Sequence, residues 1–294
     1  MTFWPNDYIL YVDLEFIRRS VMAIIAISRQ VAALGDEVAQ ELARQTGYKF
    51  LDRKYIESKI IELGFPADKL KKYDERKPGF FASLAKNRDE YLDYLQTAVL
   101  EAASEGNCIL IGRGAFIILE SVPSLISVRF VAKDEIRIKR LMDEFNWTEK
   151  QALQRIEESD TNRLGFHKSF FNLVNEDPSH FHLTINTGIL DVKESAYIID
   201  SLRKKIITPE KEKLGEEKLK SLFEAQKLVN TLIFEYKLNI IFLKAAINDG
   251  TVVLHGVTDS AAVAEKAITI ASGLMPEKKV ESCISVVQDF KAYP

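Results

Sequence analysis

Three strongly apolar runs, "MAIIAIS" (22–28), "CILIG" (108–112) and "LISVRFVA" (125–132), constrain this chain more than any other feature of its 294 residues. Strands covered by helices on both faces carry such runs, because neither face meets water. "YKFLD" (48–52) reads as a short second strand and "HLTINT" (182–187) as the last of the set. Amphipathic stretches lie between them. In "DEVAQELARQTG", Val38 and Leu42 with Ala39 or Ala43 form an apolar stripe, and Gly47 stands where a helix stops. Further helices are predicted over 53–63, 67–74, about 83–105, 134–145 and 192–206, with "KPGF" (77–80) as a break. "TEKQ" opens another, with Thr148 as N-cap and Gln151 completing a capping box. Strand alternating with helix predicts an α/β fold around a parallel sheet. Ligands of such sheets bind beyond the carboxyl ends of the strands. The residues at that address are Ser28, Arg29, Gln30, Asp52, Arg113 and Thr187.

The rhythm changes after residue 208. "PEKEKLGEEKLK" (209–220) is charged and poor in apolar residues, so it reads as a linker closing a domain over 21–208. The remainder, 221–294, forms a second domain. A helix over about 216–236 leads to "INDGTVVLHG", two strands joined at Asp249–Gly250. A helix over 260–273 and a last strand in "VESCISVVQDF" follow. Residues 1–20 are aromatic-rich and read as a packing arm, at a dimer contact of a homo-oligomer. A net charge of −3 and a pI near 5.9 argue against a nucleic-acid surface. No run of eighteen apolar residues suggests a membrane span, and the stretch after Arg18 and Arg19 is too short for a secretory leader. Cys108 and Cys283 are expected to be buried free thiols in a reducing cytoplasm.

Four stretches could carry chemistry. The turn between the strand at 22–28 and the helix that follows is where helix-terminal amides suit a phosphate. Its residues are Ala32, Ala33, Leu34 and Gly35, and Asp36 and Glu37 open the helix. Those two acids satisfy the helix dipole themselves and repel an anion. In "ILIGRGAFIIL" (109–119), Arg113 between glycines either grips a phosphate bidentately or pairs with a carboxylate under a loop. In "RIEESDTNRLGFHKSFF" (155–171), the spacing from Asp160 through Arg163 to His167 marks one helical face. With Arg155 and Lys168 that face is either a basic lid closing on phosphates or a solvated surface of internal ion pairs. His180 and His182 alternate along a strand edge, but no third ligand is near, so no metal site is expected.

These pieces, in this order, resemble the cytidylate-kinase-like family of P-loop nucleoside monophosphate kinases. "IAISRQ" (25–30), "YKFLDRKYI" (48–56), "ILIGRGA" (109–115), "VRFVAKDEIRIKRL" (128–141), "DTNR" (160–163) and "LTINT" (183–187) carry the likeness over 22–207. The resemblance implies a three-layer α/β/α P-loop kinase-like domain, ATP with Mg²⁺ as donor, and CMP or dCMP as acceptor. It implies donor-side roles for Ser28, Gln30 and Gly35, and acceptor-side roles for Asp52, Arg113 and Arg155. Catalytic roles fall to Arg29, Asp160 and Arg163. The family pattern after Ser-Arg-Gln is one residue, then Gly-Ser-Gly-Gly and a basic or polar residue. Here Val31, Ala32, Ala33, Leu34, Gly35 and Asp36 stand there, and His182 replaces a usual aspartate. That departure implies weak or lost phosphoryl transfer, in a nucleotide-binding protein acting as sensor or scaffold. The alternatives are an active kinase in which Arg29 or Lys168 supplies the missing charge, and a purely structural assembly protein. The tail, in "NDGTVVLHGVTDSAAVAEKA" with Gly250 and Gly256, resembles a small α+β BON domain. That implies docking to a protein partner or a phospholipid surface. With few exposed-looking basic residues beyond Lys266, Lys278 and Lys279, charge attraction to a membrane would be weak.

Overall fold

The structure, a computed structural model, describes residues 23–70, 85–173 and 177–287. In chain order its elements are β1 (Ile24–Arg29), α1 (Gly35–Thr46), β2 (Lys49–Leu51), α2 (Arg53–Glu62), α3 (Ala67–Leu70) and α4 (Ala85–Ser104). Then come β3 (Cys108–Ile111), α5 (Ala115–Ile118), β4 (Leu125–Val131), α6 (Asp134–Phe145), α7 (Glu149–Phe171), β5 (Leu183–Asn186) and α8 (Val192–Ile206). The tail adds α9 (Pro209–Asn230), β6 (Ile241–Asn248), β7 (Thr251–Thr258), α10 (Ala261–Leu274) and β8 (Lys279–Val286). The arm at 1–20, the "KPGF" break and the end of the helix predicted over 67–74 lie outside the described residues. Among the described residues, no helix is long and apolar enough to cross a membrane.

The first five strands form one parallel sheet in the order β2-β3-β1-β4-β5. Successive side chains of a strand point to opposite faces, so β1 divides its apolar residues between two cores. Ile24 and Ala26 pack with Leu95, Val99 and Phe116 of α4 and α5. Ile25 and Ile27 pack with Val38 and Leu42 of α1 and Ile199 of α8. The unbroken run is the signature of this double burial. On either side of β1 the chain goes to different neighbours, β3 and β4, and the crevice between them opens at the strand's carboxyl end. The predicted capping box of Thr148 and Gln151 is present, and it opens a single helix that runs on to Phe171.

The stretch read as a charged linker, 209–220, is instead the first half of α9. Thr208 caps it by accepting from the Lys211 N–H, and Pro209 takes the first helical position, where its missing N–H costs nothing. Gly215 meets Ser124 so closely that a Cβ there would lie 2.1 Å from the serine Oγ. Leu219 enters the core beside α4. Gly215 and Leu219, four residues apart on one face of the helix, seat a stretch whose composition is otherwise that of a tether.

The far half of α9 carries Leu228 and Val229 into a separate core with Val252, Leu254, Ala267 and Ala271. That core underlies a three-stranded sheet, β6-β7-β8. β6 and β7 form the predicted hairpin, with Asp249 and Gly250 both left-handed (φ 47° and 75°) as its tight turn requires. β8 returns parallel to β7 after α10. The helices cover one face only. Cys283, expected to be buried, is therefore exposed on the open face of β8, while Cys108 is buried as expected.

Candidate functional site

The turn after β1 keeps a curl without the glycines that would make it easy. Ala32 and Leu34 both hold left-handed backbone, at φ 58° and 54°. That conformation costs a side-chain-bearing residue roughly 1–2 kcal/mol. Neighbouring groups hold it in place. Arg137 Nε donates to the Val31 carbonyl (3.0 Å), Arg140 to the Ala32 carbonyl (2.9 Å) and the Thr187 hydroxyl to the Ala33 carbonyl (3.0 Å). A trans peptide points its N–H opposite its carbonyl, so the amides of Ala32 and Leu34 face away from these three anchors. The Ala33 amide closes a turn on the Gln30 carbonyl. Leu34 then starts α1 with no side-chain cap. The shape is that of an anion-binding helix terminus.

The charge is opposed to the shape. Asp36 and Glu37 occupy the first turn of α1. Arg29 Nε lies 3.2 Å from the Asp36 carboxylate. Gly35 makes room for that arginine, since a Cβ there would sit 2.7 Å from Arg29 Cβ. Gln30 does not face the turn: its side-chain oxygen accepts from the Ala132 N–H (3.1 Å) and ties the end of β1 to β4.

Beside this turn, Ser28, Arg29, Gly112, Arg113, Gly114, Phe116, Arg163, Phe166 and His167 line one cleft at the carboxyl ends of β1 and β3. Gly112, Arg113 and Gly114 are all left-handed (φ 78°, 55° and 68°). Backbone strain at a non-glycine residue of this kind concentrates at functional sites. Gly114 is needed for a second reason, because a Cβ would fall 2.3 Å from the Phe171 ring. Arg113 is buried, lies over the Phe166 ring at 5.9 Å and pairs with Glu57, which Arg53 also holds at 2.7 Å. His167 meets Phe116 edge-on at 5.5 Å. The side chains close the cleft to about the room of one water molecule.

Behind the cleft, Asp160 bridges two buried arginines. It takes both arms of Arg137 at 3.0 Å and Nη1 of Arg163 at 2.9 Å. Arg163 Nη1 also donates to the Arg29 carbonyl (3.3 Å). Arg137 is 1% exposed and reaches Asp134 as well. The lid residues of the sequence reading are thus folded against the end of β1. Arg163 and His167 face the cleft, Asp160 faces Arg137, and Lys168 is exposed.

The structure does not bring Asp52 or Arg155 to the cleft. Asp52 caps α2 by accepting from the Tyr55 N–H (2.9 Å). Arg155 is largely exposed, 3.9 Å from Glu158, the solvated-face alternative. His182 is a packing residue: its Nδ1 accepts from the Ser127 N–H (3.0 Å), and burial pushes its pKa below the ordinary imidazole value. Among the described residues no cluster of three His, Cys, Asp or Glu could hold a metal. Glu57, Arg137 and Arg140 were missed. For Arg137 there was a signal, since it shares the buried face of α6 with Leu141, where a lone arginine needs partners.

A curated cytidylate kinase from Methanocaldococcus jannaschii is 28% identical over 151 residues, covering 49% of this chain and 78% of that protein. The crystal structure of an uncharacterized protein from Eubacterium ventriosum aligns with a TM-score of 0.52 at 22% identity, covering 63% of this chain and 99% of the other. Residues 24–189, more than half of the chain, match the profile of the cytidylate kinase-like family, and the chain belongs to that family.

Proposed function

We propose that this protein binds a nucleoside monophosphate of the CMP type in the arginine cleft, with phosphoryl transfer weak or lost. The observation that carries this reading is the convergence of Arg29, Arg113, Arg163 and Ser28 on one cleft at the topological switch of the sheet. Guanidinium groups there suit a phosphate dianion, and Phe116 and Phe166 supply apolar walls. The donor side does not fit as well. The turn has the curl for a triphosphate, yet Asp36 stands where a positive group belongs, and Mg²⁺-ATP would meet a carboxylate. The tail, seated on α4 by α9, would carry the output as a docking or assembly element. Calorimetry with CMP, CDP and ATP tests the reading. CMP binding that weakens at least tenfold in Arg113→Met supports it, and no binding of any of the three refutes it. The retained curl favours a second reading, an active monophosphate kinase using ATP and Mg²⁺. ADP release in the presence of CMP or dCMP, lost in Arg163→Ala, would establish that instead.

A further inference from the structure

The two domains meet along α4 and α9, and a ring of polar groups closes the seam. Gln226 Nε2 donates to Asp93 Oδ1 (3.2 Å) and to Asn230 Oδ1 (3.0 Å). Asn230 Nδ2 donates to Thr97 Oγ1 (2.8 Å), and the Thr97 hydroxyl donates back to the Asp93 carbonyl (2.7 Å). On one side of the ring Tyr94 stacks on Phe234 at 4.7 Å and 17°. Arg88 lies over Phe242 of β6 at 6.0 Å. The only carboxylate in the ring is Asp93.

That carboxylate is short of positive charge. The group facing it from α9 is the neutral amide of Gln226, which also donates to Asn230. The charged groups acting on it from its own helix are Asp89 and Glu90, both acidic. Arg88, on the same helix, is bound to Asp89 (3.1 Å). Lys227 turns to the Phe223 ring (4.3 Å).

We propose that this seam is a proton-operated latch: neutral Asp93 seats the tail on the kinase-like domain, and ionised Asp93 loosens it. Burial, with the two acidic neighbours, raises the Asp93 pKa from 3.8 to about 7 while the seam is closed. When α9 lifts, the carboxyl returns to water and to its ordinary value. The closed form therefore holds the proton more tightly than the open form. Closure is fully favoured below about pH 4 and weakens up to tenfold per pH unit as pH rises to about 7, where it levels. Acidification within the range from 7 to 5 tightens the seam up to about a hundredfold.

The test uses the full chain with a dye on exposed Cys283 and a second on a cysteine introduced at Lys205. Wild-type energy transfer should change between pH 5 and pH 8 and level above 7. Asp93→Asn, neutral at every pH, should stay throughout at the value the wild type approaches below about pH 4, at least as closed as wild type at pH 5. A flat wild-type profile, or the same profile in Asp93→Asn, overturns the latch. Should that variant not fold, the carboxyl ¹³C resonance of Asp93 in the wild-type chain decides. A midpoint near 7 that the wild-type energy-transfer profile follows supports the latch, and a midpoint near 4, or energy transfer that does not follow the titration, refutes it.

Discussion

Replacing Asp160 by alanine removes one carboxylate from between two guanidinium groups. Arg137 is 1% exposed and Arg163 is 9% exposed. Three charge-assisted hydrogen bonds disappear, two at 3.0 Å and one at 2.9 Å. Breaking a buried pair by removing one partner costs about 3–5 kcal/mol. Asp160 keeps a quarter of its side chain in water (26%), and Arg137 retains Asp134 and the Val31 carbonyl. Both facts place the cost at the lower end, about 3 kcal/mol. That is a large part of an ordinary domain's stability of about 5–15 kcal/mol. Urea unfolding read by circular dichroism should show the loss as a lower midpoint at unchanged slope. The double variant Arg137→Met/Asp160→Ala should lose less than the sum of its singles by about 1–3 kcal/mol, because Arg137 is then no longer left as a buried charge without its partner. Loss of less than about 0.5 kcal/mol in Asp160→Ala would refute the buried triad as a stabilising element, and so would simple additivity in the double variant. Calorimetry with CMP adds a second reading: Arg163 loses its anchor, so affinity should fall as well.

Asp36→Asn should tighten ATP binding at least fivefold, since one carboxylate within a few ångströms of a polyphosphate opposes it even at a surface dielectric; titration with a fluorescent ATP analogue measures this. Gly114→Ala should lose about 2–3 kcal/mol, because φ +68° and a Phe171 carbon 2.3 Å from the new methyl leave it no relaxed position; a thermal melt reads the loss. Maleimide should modify one cysteine in the native chain and two in denaturant. Cys283 is exposed, whereas Cys108 is buried and burial pushes its thiol up to about 12.

Much of the site was legible because its parts are local. Arg29, Arg113 and Arg163 were found from their place after strands or on one helical face. The two glycines around Arg113 marked a turn there, and the structure shows that all three residues are left-handed. What escaped was whatever depends on distant partners. Glu57 reaches Arg113 across 56 residues and Arg137 reaches Asp160 across 23, and no spacing rule links such pairs. The turn after β1 shows the same limit from the other side. Ala32 and Leu34 argue against a curl by their own preference, and the curl exists because Arg137, Arg140 and Thr187 hold its carbonyls.

By itself the sequence determined the elements whose cause is near at hand. The doubly buried strands show as strongly apolar runs, the start of α7 as Thr148 and Gln151, and the hairpin as Asp249–Gly250. Tertiary structure decided how faces are spent. It covered both faces of the first sheet and one face of the second, which buried Cys108 and exposed Cys283. The alternation in "VESCISV" already set Cys283 beside Glu281 and Ser285. Only the packing of α9 and α10 shows that this side meets water. It also drew a charged stretch into α9, since burying Gly215 and Leu219 against the first domain outweighs what the other residues prefer. Sequence records local preference well. The choice among competing burials belongs to the whole chain, because apolar area is removed from water only when distant segments meet.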